Sequence, residues 1–260
     1  MPTTPVYALP YPQSSDVVDV PLHIQQLATA SENAFGALNA AGPYLSRPTA
    51  AAARNGGVYY ATDTLGTFRS DGSQWALIQQ GAPVVTNAQM NAAPFTTPYD
   101  GQHVRLLVDA ANGIEWRFAY RSASASAYKW EFIGGAPLYY AVDVNESTSS
   151  TTATDLGTPG PLLTLPRGGD YFVQARCDCT QGSGTTFNAE LQIWLDNANA
   201  GIYGHTMLNG AGSGWWSKIF IQGVIANANA GQVVKMRYLT SQNSAGFATR
   251  RLTLVPLRVS

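Results

Sequence analysis

The sequence predicts a mainly β protein built as modules in series, ending in an antiparallel β-sandwich of jelly-roll type. Three observations predict it. Residues 57–81 and 101–134 spell one short pattern twice. From about residue 137 onward, apolar and polar residues alternate in many short runs, the period of half-buried strands. Helical periodicity is confined to residues 19–40.

The first element is residues 1–18, where prolines at 2, 5, 10 and 12 interrupt helix and central strand alike. An extended attachment arm is expected there. The helix of 19–40 follows, with Asp19 as its cap and Pro21 in its first turn, where proline is tolerated. Ile24, Leu27, Ser31, Ala34 and Leu38 recur at spacings of three and four, a heptad seam. This is read as a short coiled-coil, self-associating helix; the alternative is an amphipathic helix packed on its own domain. Residues 41–81 are read as a linker and the first meander. Residues 82–136 are read as a second linker, with a short helical turn near Thr86, and the second meander.

The two meanders align as Gly57–Asp63 with Gly101–Asp109, Gly66-Thr-Phe-Arg69 with Gly113-Ile-Glu-Trp-Arg117, and Trp75-Ala-Leu-Ile78 with Trp130-Glu-Phe-Ile133. Each tryptophan is expected to pack over the glycine turn of its own meander. About 30 residues cannot bury a core alone, so shared cores and a homo-oligomer are expected. Three-fold symmetry is the expectation, because a short helical bundle feeding β-modules suits a trimeric fibre.

Residues 137–260 are read as the sandwich, with about eight strands, and are expected to fold without the N-terminal modules. Tyr171, Val173, Ala175, Cys177 and Cys179 share one strand face; so do Leu191, Ile193 and Leu195, and Val234, Met236 and Tyr238. Asn-Ala-Asn-Ala-Gly occurs at 197–201 and again at 227–231. Asn and Gly tolerate positive φ, so both copies read as hairpin loops. The two cysteines are read as small buried apolar residues, badly spaced for a disulfide.

Net charge is −1 and charged residues make up 12% of the chain, which gives no electrostatic footprint for nucleic acid. No signal peptide and no membrane-spanning run is recognised. Nothing implies a cofactor, and no metal-ligand spacing is found. Hydrolytic and phosphate-binding motifs are absent, and His23, His103 and His205 fall in different modules. Glu190 and Asp196 end one expected strand, about 20 Å apart at ~3.3 Å per residue, too far for paired-carboxylate glycoside hydrolysis. A non-enzymatic protein is expected. The suggestive residues are aromatic: Tyr203, Trp215 and Trp216, beside Asn199 and Asn209. Flat rings next to amides suit stacking on sugar rings, as on lectin-like surfaces; the alternative is subunit packing.

The phrase Tyr7-Ala-Leu-Pro-Tyr-Pro, then Asp19-Val-Pro and Ile24-Gln-Gln-Leu27, resembles the start of small tail-fibre or minor tail proteins of phages, especially those of actinobacterial hosts. Arg47-Pro48, Gly57-Val-Tyr-Tyr-Ala-Thr-Asp63 and Phe68-Arg-Ser-Asp-Gly-Ser-Gln-Trp75 are similar to a module of phage fibre proteins. The tract with Leu106-Leu-Val-Asp109, Trp116-Arg117 and Trp130-Glu-Phe-Ile-Gly-Gly135 also looks like phage structural proteins. The resemblance implies a virion appendage: residues 1–40 dock on other virion proteins, the middle forms a trimeric shaft, and the C-terminal domain binds a host cell-surface glycan or protein. A head fibre or capsid decoration protein would use the same construction, and a glycan-degrading tail enzyme is the rival of another class.

Overall fold

The computed structural model describes residues 20–181, 186–208 and 216–260. The expected attachment arm of residues 1–18, the expected cap Asp19, and the candidates Asn209 and Trp215 therefore lie outside the described residues. The described residues are mainly β, with far more strand than helix. Contacts divide it into two compact units: one runs to Val84 and includes 92–98 and 102–104, and the other holds 85–91, 99–101 and 105–260.

In the first unit, helix α1 (Val20–Leu38) leads into β1 (Asn39–Gly42), a 3-10 turn (Tyr44–Ser46), α2 (Ala50–Ala53), β2 (Asn55–Ala61), β3 (Gly66–Asp71) and β4 (Trp75–Gln80). The strands form one sheet in that order, β1 lying parallel to β2. Ile24 and Leu27 of the expected seam are exposed and Ser31 is half-buried; the side chains of Ala34 and Leu38 are outside the described residues. The segment expected to be a linker is instead the cover of the meander. The Arg47 guanidinium lies over the rings of Phe68 (4.3 Å), Tyr44 (4.8 Å) and Trp75 (5.4 Å). Thr49 caps α2, Ser70 donates to the Ala50 carbonyl, and Tyr59 donates to that of Pro43. A three-stranded meander exposes too much apolar surface, and these preceding residues supply the missing layer.

Strand β5 (Val84–Val85) straddles the division between the units. Helix α3 (Asn87–Met90) follows, closed by a reciprocal capping box between Thr86 and Gln89, the helical turn expected near Thr86. The second meander is β6 (His103–Asp109), β7 (Ile114–Tyr120) and β8 (Trp130–Gly135). It is not a separate sheet. β8 pairs with the last strand of the chain, joining Trp130 to Val259 and Glu131 to Arg258. Trp116 is fully buried against Phe118, Phe132 and Tyr171.

The remaining strands are β9 (Leu138–Val142), β10 (Glu146–Thr148), β11 (Leu162–Thr164), β12 (Gly169–Gln181), β13 (Phe187–Leu195), β14 (Ala198–Leu208), β15 (Trp216–Ala228), β16 (Val233–Thr240) and β17 (Ala245–Val259). One sheet runs β15-β12-β17, with β10 and β9 sharing the far side of β17; the other runs β11-β16-β13-β14. Apart from the β13-β14 hairpin, successive strands from β10 onward cross between these sheets, the order of a jelly roll. The expected faces pack inward: Tyr171, Val173, Ala175, Cys177 and Cys179 are buried, as are Leu191, Ile193, Val234, Met236 and Tyr238, while Leu195 is half-buried. Tyr238 meets Phe247 of the opposite sheet at 4.9 Å between ring centres. The Cys177 and Cys179 sulfurs are free and 3.6 Å apart. The hydrogen bond with Cys179 and burial push the Cys177 thiol up, which suits inert core residues.

The two Asn-Ala-Asn-Ala-Gly copies differ. The first begins within the two-residue turn at Asp196–Asn197, and its other residues open β14, a hairpin with β13. The second ends β15 in one sheet and leads to β16 in the other, so it is a corner rather than the expected hairpin. In β17 an extra residue sits near Thr249, whose φ is 49°. Such a bulge changes which face the following residues take. Arg250 is thereby fully buried, bonded to Glu146 at 2.8 Å and donating to the carbonyls of Thr158, Gly160 and Val144. It pins the long segment between β9 and β11.

Candidate functional site

The outward face of the β11-β16-β13-β14 sheet gathers the polar and aromatic groups that alternate with the core residues. Strand β13 presents Glu190, Gln192 and Trp194 between buried Leu191 and Ile193. Register sets Gln192 opposite Tyr203, Glu190 opposite His205, and Trp194 opposite Asn199 on β14. Across the other edge of β13, Gln192 faces Arg237 and Trp194 faces Lys235.

These side chains hold one another. Gln192 donates to Glu190 at 2.7 Å and accepts at its amide oxygen from Trp194 Nε1 (2.9 Å) and Asn199 Nδ2 (3.0 Å). The Arg237 guanidinium lies 4.3 Å from the centre of the Trp194 ring, a cation–π contact, and also reaches Asp155 at 3.4 Å. Asn199 in turn accepts from the Gly201 amide at 2.8 Å, inside the bulge where the register skips from Asn199 to Ile202 and Gly201 takes a φ of 75°. The Tyr203 ring stands beside this array with 62% of its surface exposed. Chemically this is a pre-set row of amide and carboxylate groups next to a flat exposed ring.

The structure brings together two of the five sequence candidates, Tyr203 and Asn199. Trp216 is 54% exposed but opens β15, on the other sheet, opposite Thr180, so it does not extend this face. Sequence reasoning missed Gln192, Trp194, Glu190 and Arg237 as a group. Their signal was present in Glu190-x-Gln192-x-Trp194, polar or aromatic at every second position of an expected strand. The other carboxylate considered, Asp196, has φ 51° in the turn. It accepts from the Val233 amide and from Gln232, and these bonds hold its carboxyl below the usual range. It is therefore consumed in closing the turn. Among the described residues no group of His, Cys, Asp or Glu is placed to hold a metal, and no helix is long and apolar enough to cross a membrane.

No family model matches the chain, and no curated protein matches it. Among solved structures, it is similar to that of the infectious bursal disease virus Gt strain, with a TM-score of 0.35 and 11% identity over 54% of this chain and 40% of the other. The infectious bursal disease virus VP2 subviral particle gives a TM-score of 0.35 and 11% identity over 55% and 39%. A Stig cyclase from Fischerella sp. TAU gives 0.28 and 9% over 55% and 65%. The chain thus spans about two fifths of the length of the viral proteins it matches. Likenesses this distant decide neither fold nor function, and the jelly-roll assignment rests on the strand order.

Proposed function

We propose that the chain is a non-enzymatic structural protein of a phage virion, a trimeric tail fibre that docks through residues 1–40 and binds a host-surface glycan with its C-terminal jelly roll. The carrying observation is the Tyr203 face: an exposed ring beside the Gln192, Glu190 and Asn199 array. Sugar rings stack on flat aromatic faces, while amides and carboxylates satisfy hydroxyls. Because the array is already bonded internally, little ordering is needed on binding. The jelly roll also occurs in capsid and lectin domains, although the fold alone does not decide function. For assembly, Leu22, Ile24, Leu27 and Phe35 of α1 are all exposed, and a self-associating helix would cover them.

The test is adsorption of the labelled full chain to host cells, alongside light scattering. Scattering should give about three times the 27.7 kDa chain mass. Tyr203→Ala and Gln192→Ala should each weaken adsorption by about 1–3 kcal/mol, the usual loss at a contact hot spot, with thermal unfolding unchanged. A folded chain that adsorbs equally with and without the Tyr203 ring would overturn the receptor reading, and a clean monomer would overturn the fibre.

A further inference from the structure

The outward face of the other sheet carries a different chemistry. There β12 and β17 set Arg176 directly opposite Arg251. Like charges facing each other across adjacent strands are unfavourable unless something neutralises them. Arg251 has its counter-ion, Asp143 of the segment after β9. Arg176 is exposed, and among the described residues no carboxylate lies within ion-pair distance of it. The next acidic residue on that strand face, Asp178, is opposite Lys218 of β15.

Around the two guanidinium groups, Phe220 stands opposite Arg176 on β15, while Gln174 and Tyr139 flank Thr253 on either side. Phe220 is 57% and Tyr139 54% exposed. Together these residues line a cleft of about 280 Å³, near the lower end of the ~300–1,000 Å³ usual for ligand sites. Its contents are one uncompensated planar fork suited to an oxyanion, two aromatic groups, a hydroxyl and an amide.

We propose that this cleft is a second binding site, which takes a single sugar unit bearing a carboxylate or a phosphate. The oxyanion sits on the Arg176 fork and supplies the charge that the Arg176/Arg251 pair lacks. The ring lies against Phe220 or Tyr139, and Gln174 and Thr253 bond its hydroxyls. The site lies on the opposite sheet from the Tyr203 face and stands whether or not that face binds glycan.

Calorimetric titration of the full chain with glucuronic acid, glucose 6-phosphate and glucose tests this. One or both acids should bind, with glucose at least ~10-fold weaker; the two acid arms identify the oxyanion. Arg176→Gln should weaken acid binding about 10–100-fold, as expected for loss of a charge-assisted hydrogen bond. Arg176→Lys, which keeps charge but not the fork, should fall between. Tyr203→Ala should leave acid binding unchanged, which separates this site from the other. Equal binding of glucose and the acids, no binding of either acid, or full binding by Arg176→Gln would overturn the proposal.

Discussion

The two meanders share a register but not a cover. In the first, Ser70 pairs with Trp75, Arg69 with Ala76 and Phe68 with Leu77; the ladder then skips Ile78 and resumes with Thr67 on Gln79 and Gly66 on Gln80. In the second, Tyr120 pairs with Trp130, Ala119 with Glu131 and Phe118 with Phe132; it skips Ile133 and resumes with Arg117 on Gly134 and Trp116 on Gly135. The repeat is therefore structural, down to the bulged isoleucine. Phe68 corresponds to Phe118, however, two residues from the sequence alignment that matched Arg69 with Arg117. Both tryptophans pair at the ends of β3 and β7 far from Gly66 and Gly113, not over those glycine turns as expected. Trp75 is half-buried, packs on Tyr59 and donates to the Pro48 carbonyl. Trp130 is 4% exposed, packs on Tyr120 and pairs with Val259 of β17. One module completes itself with the residues before it, and the other is annexed to the jelly roll.

The largest test of that contrast is a cut. A fragment of residues 85–260 should unfold cooperatively in urea, whereas 137–260, which the sequence suggested would stand alone, should not hold a fixed tertiary structure by near-ultraviolet circular dichroism. It loses Trp116, Phe118 and Trp130, each buried and each contributing about 3–5 kcal/mol when removed singly, against a total stability of only ~5–15 kcal/mol. Equal urea midpoints for the two fragments would mean the annexation is superficial.

Single substitutions sharpen the same point. Trp130→Ala should cost about 3–5 kcal/mol, and Trp75→Ala, partly solvated, about 1–2 kcal/mol, both read from denaturant midpoints. Similar losses would mean that the first module is as tightly covered as the second. Gly135 has φ 133°, and a Cβ there would fall 2.3 Å from the Glu115 carbonyl oxygen. Gly135→Ala should therefore cost about 1–3 kcal/mol, while Gln80→Ala at the equivalent position should change stability by only about 0.5 kcal/mol.

The smallest effect separates the turns. Bonds from the Gln74 amide, the Ser73 hydroxyl and the Ser73 amide lower the Asp71 carboxyl to about 2. Bonds from the Asn112 side chain and amide lower Asp109 as well. A carboxyl depressed in the folded state stabilises above its unfolded pKa of ~3.9, and that contribution fades as pH falls through the folded value. Carbon-detected NMR titration should find the Asp71 midpoint near 2, and its share of the pH dependence, confined between about pH 4 and 2, should vanish in Asp71→Asn. An Asp71 midpoint near 4 would show that this turn is not pre-organised.

Much of the fold was legible because it is written locally. Alternation identified the inward faces of β12, β13 and β16; a short helical turn was legible near Thr86; Asn and Gly marked chain reversals. The Tyr203 and Asn199 half of the candidate site followed from an exposed aromatic beside a hairpin. What escaped was long-range. Arg176 and Arg251 are 75 positions apart in sequence and meet only because β17 lies beside β12. Arg250 reads as a surface residue until the bulge at Thr249 turns it inward.

Period-two strands, positive-φ turns and the long helix α1 follow from sterics and hydrogen bonds within a few residues. Long-range packing chose that one Asn-Ala-Asn-Ala-Gly copy folds back as a hairpin while the other crosses between sheets, and that one meander covers itself while its twin joins a neighbour. Hydrophobic burial is non-directional. An apolar strand face specifies that it must be covered, and the rest of the chain chooses the cover.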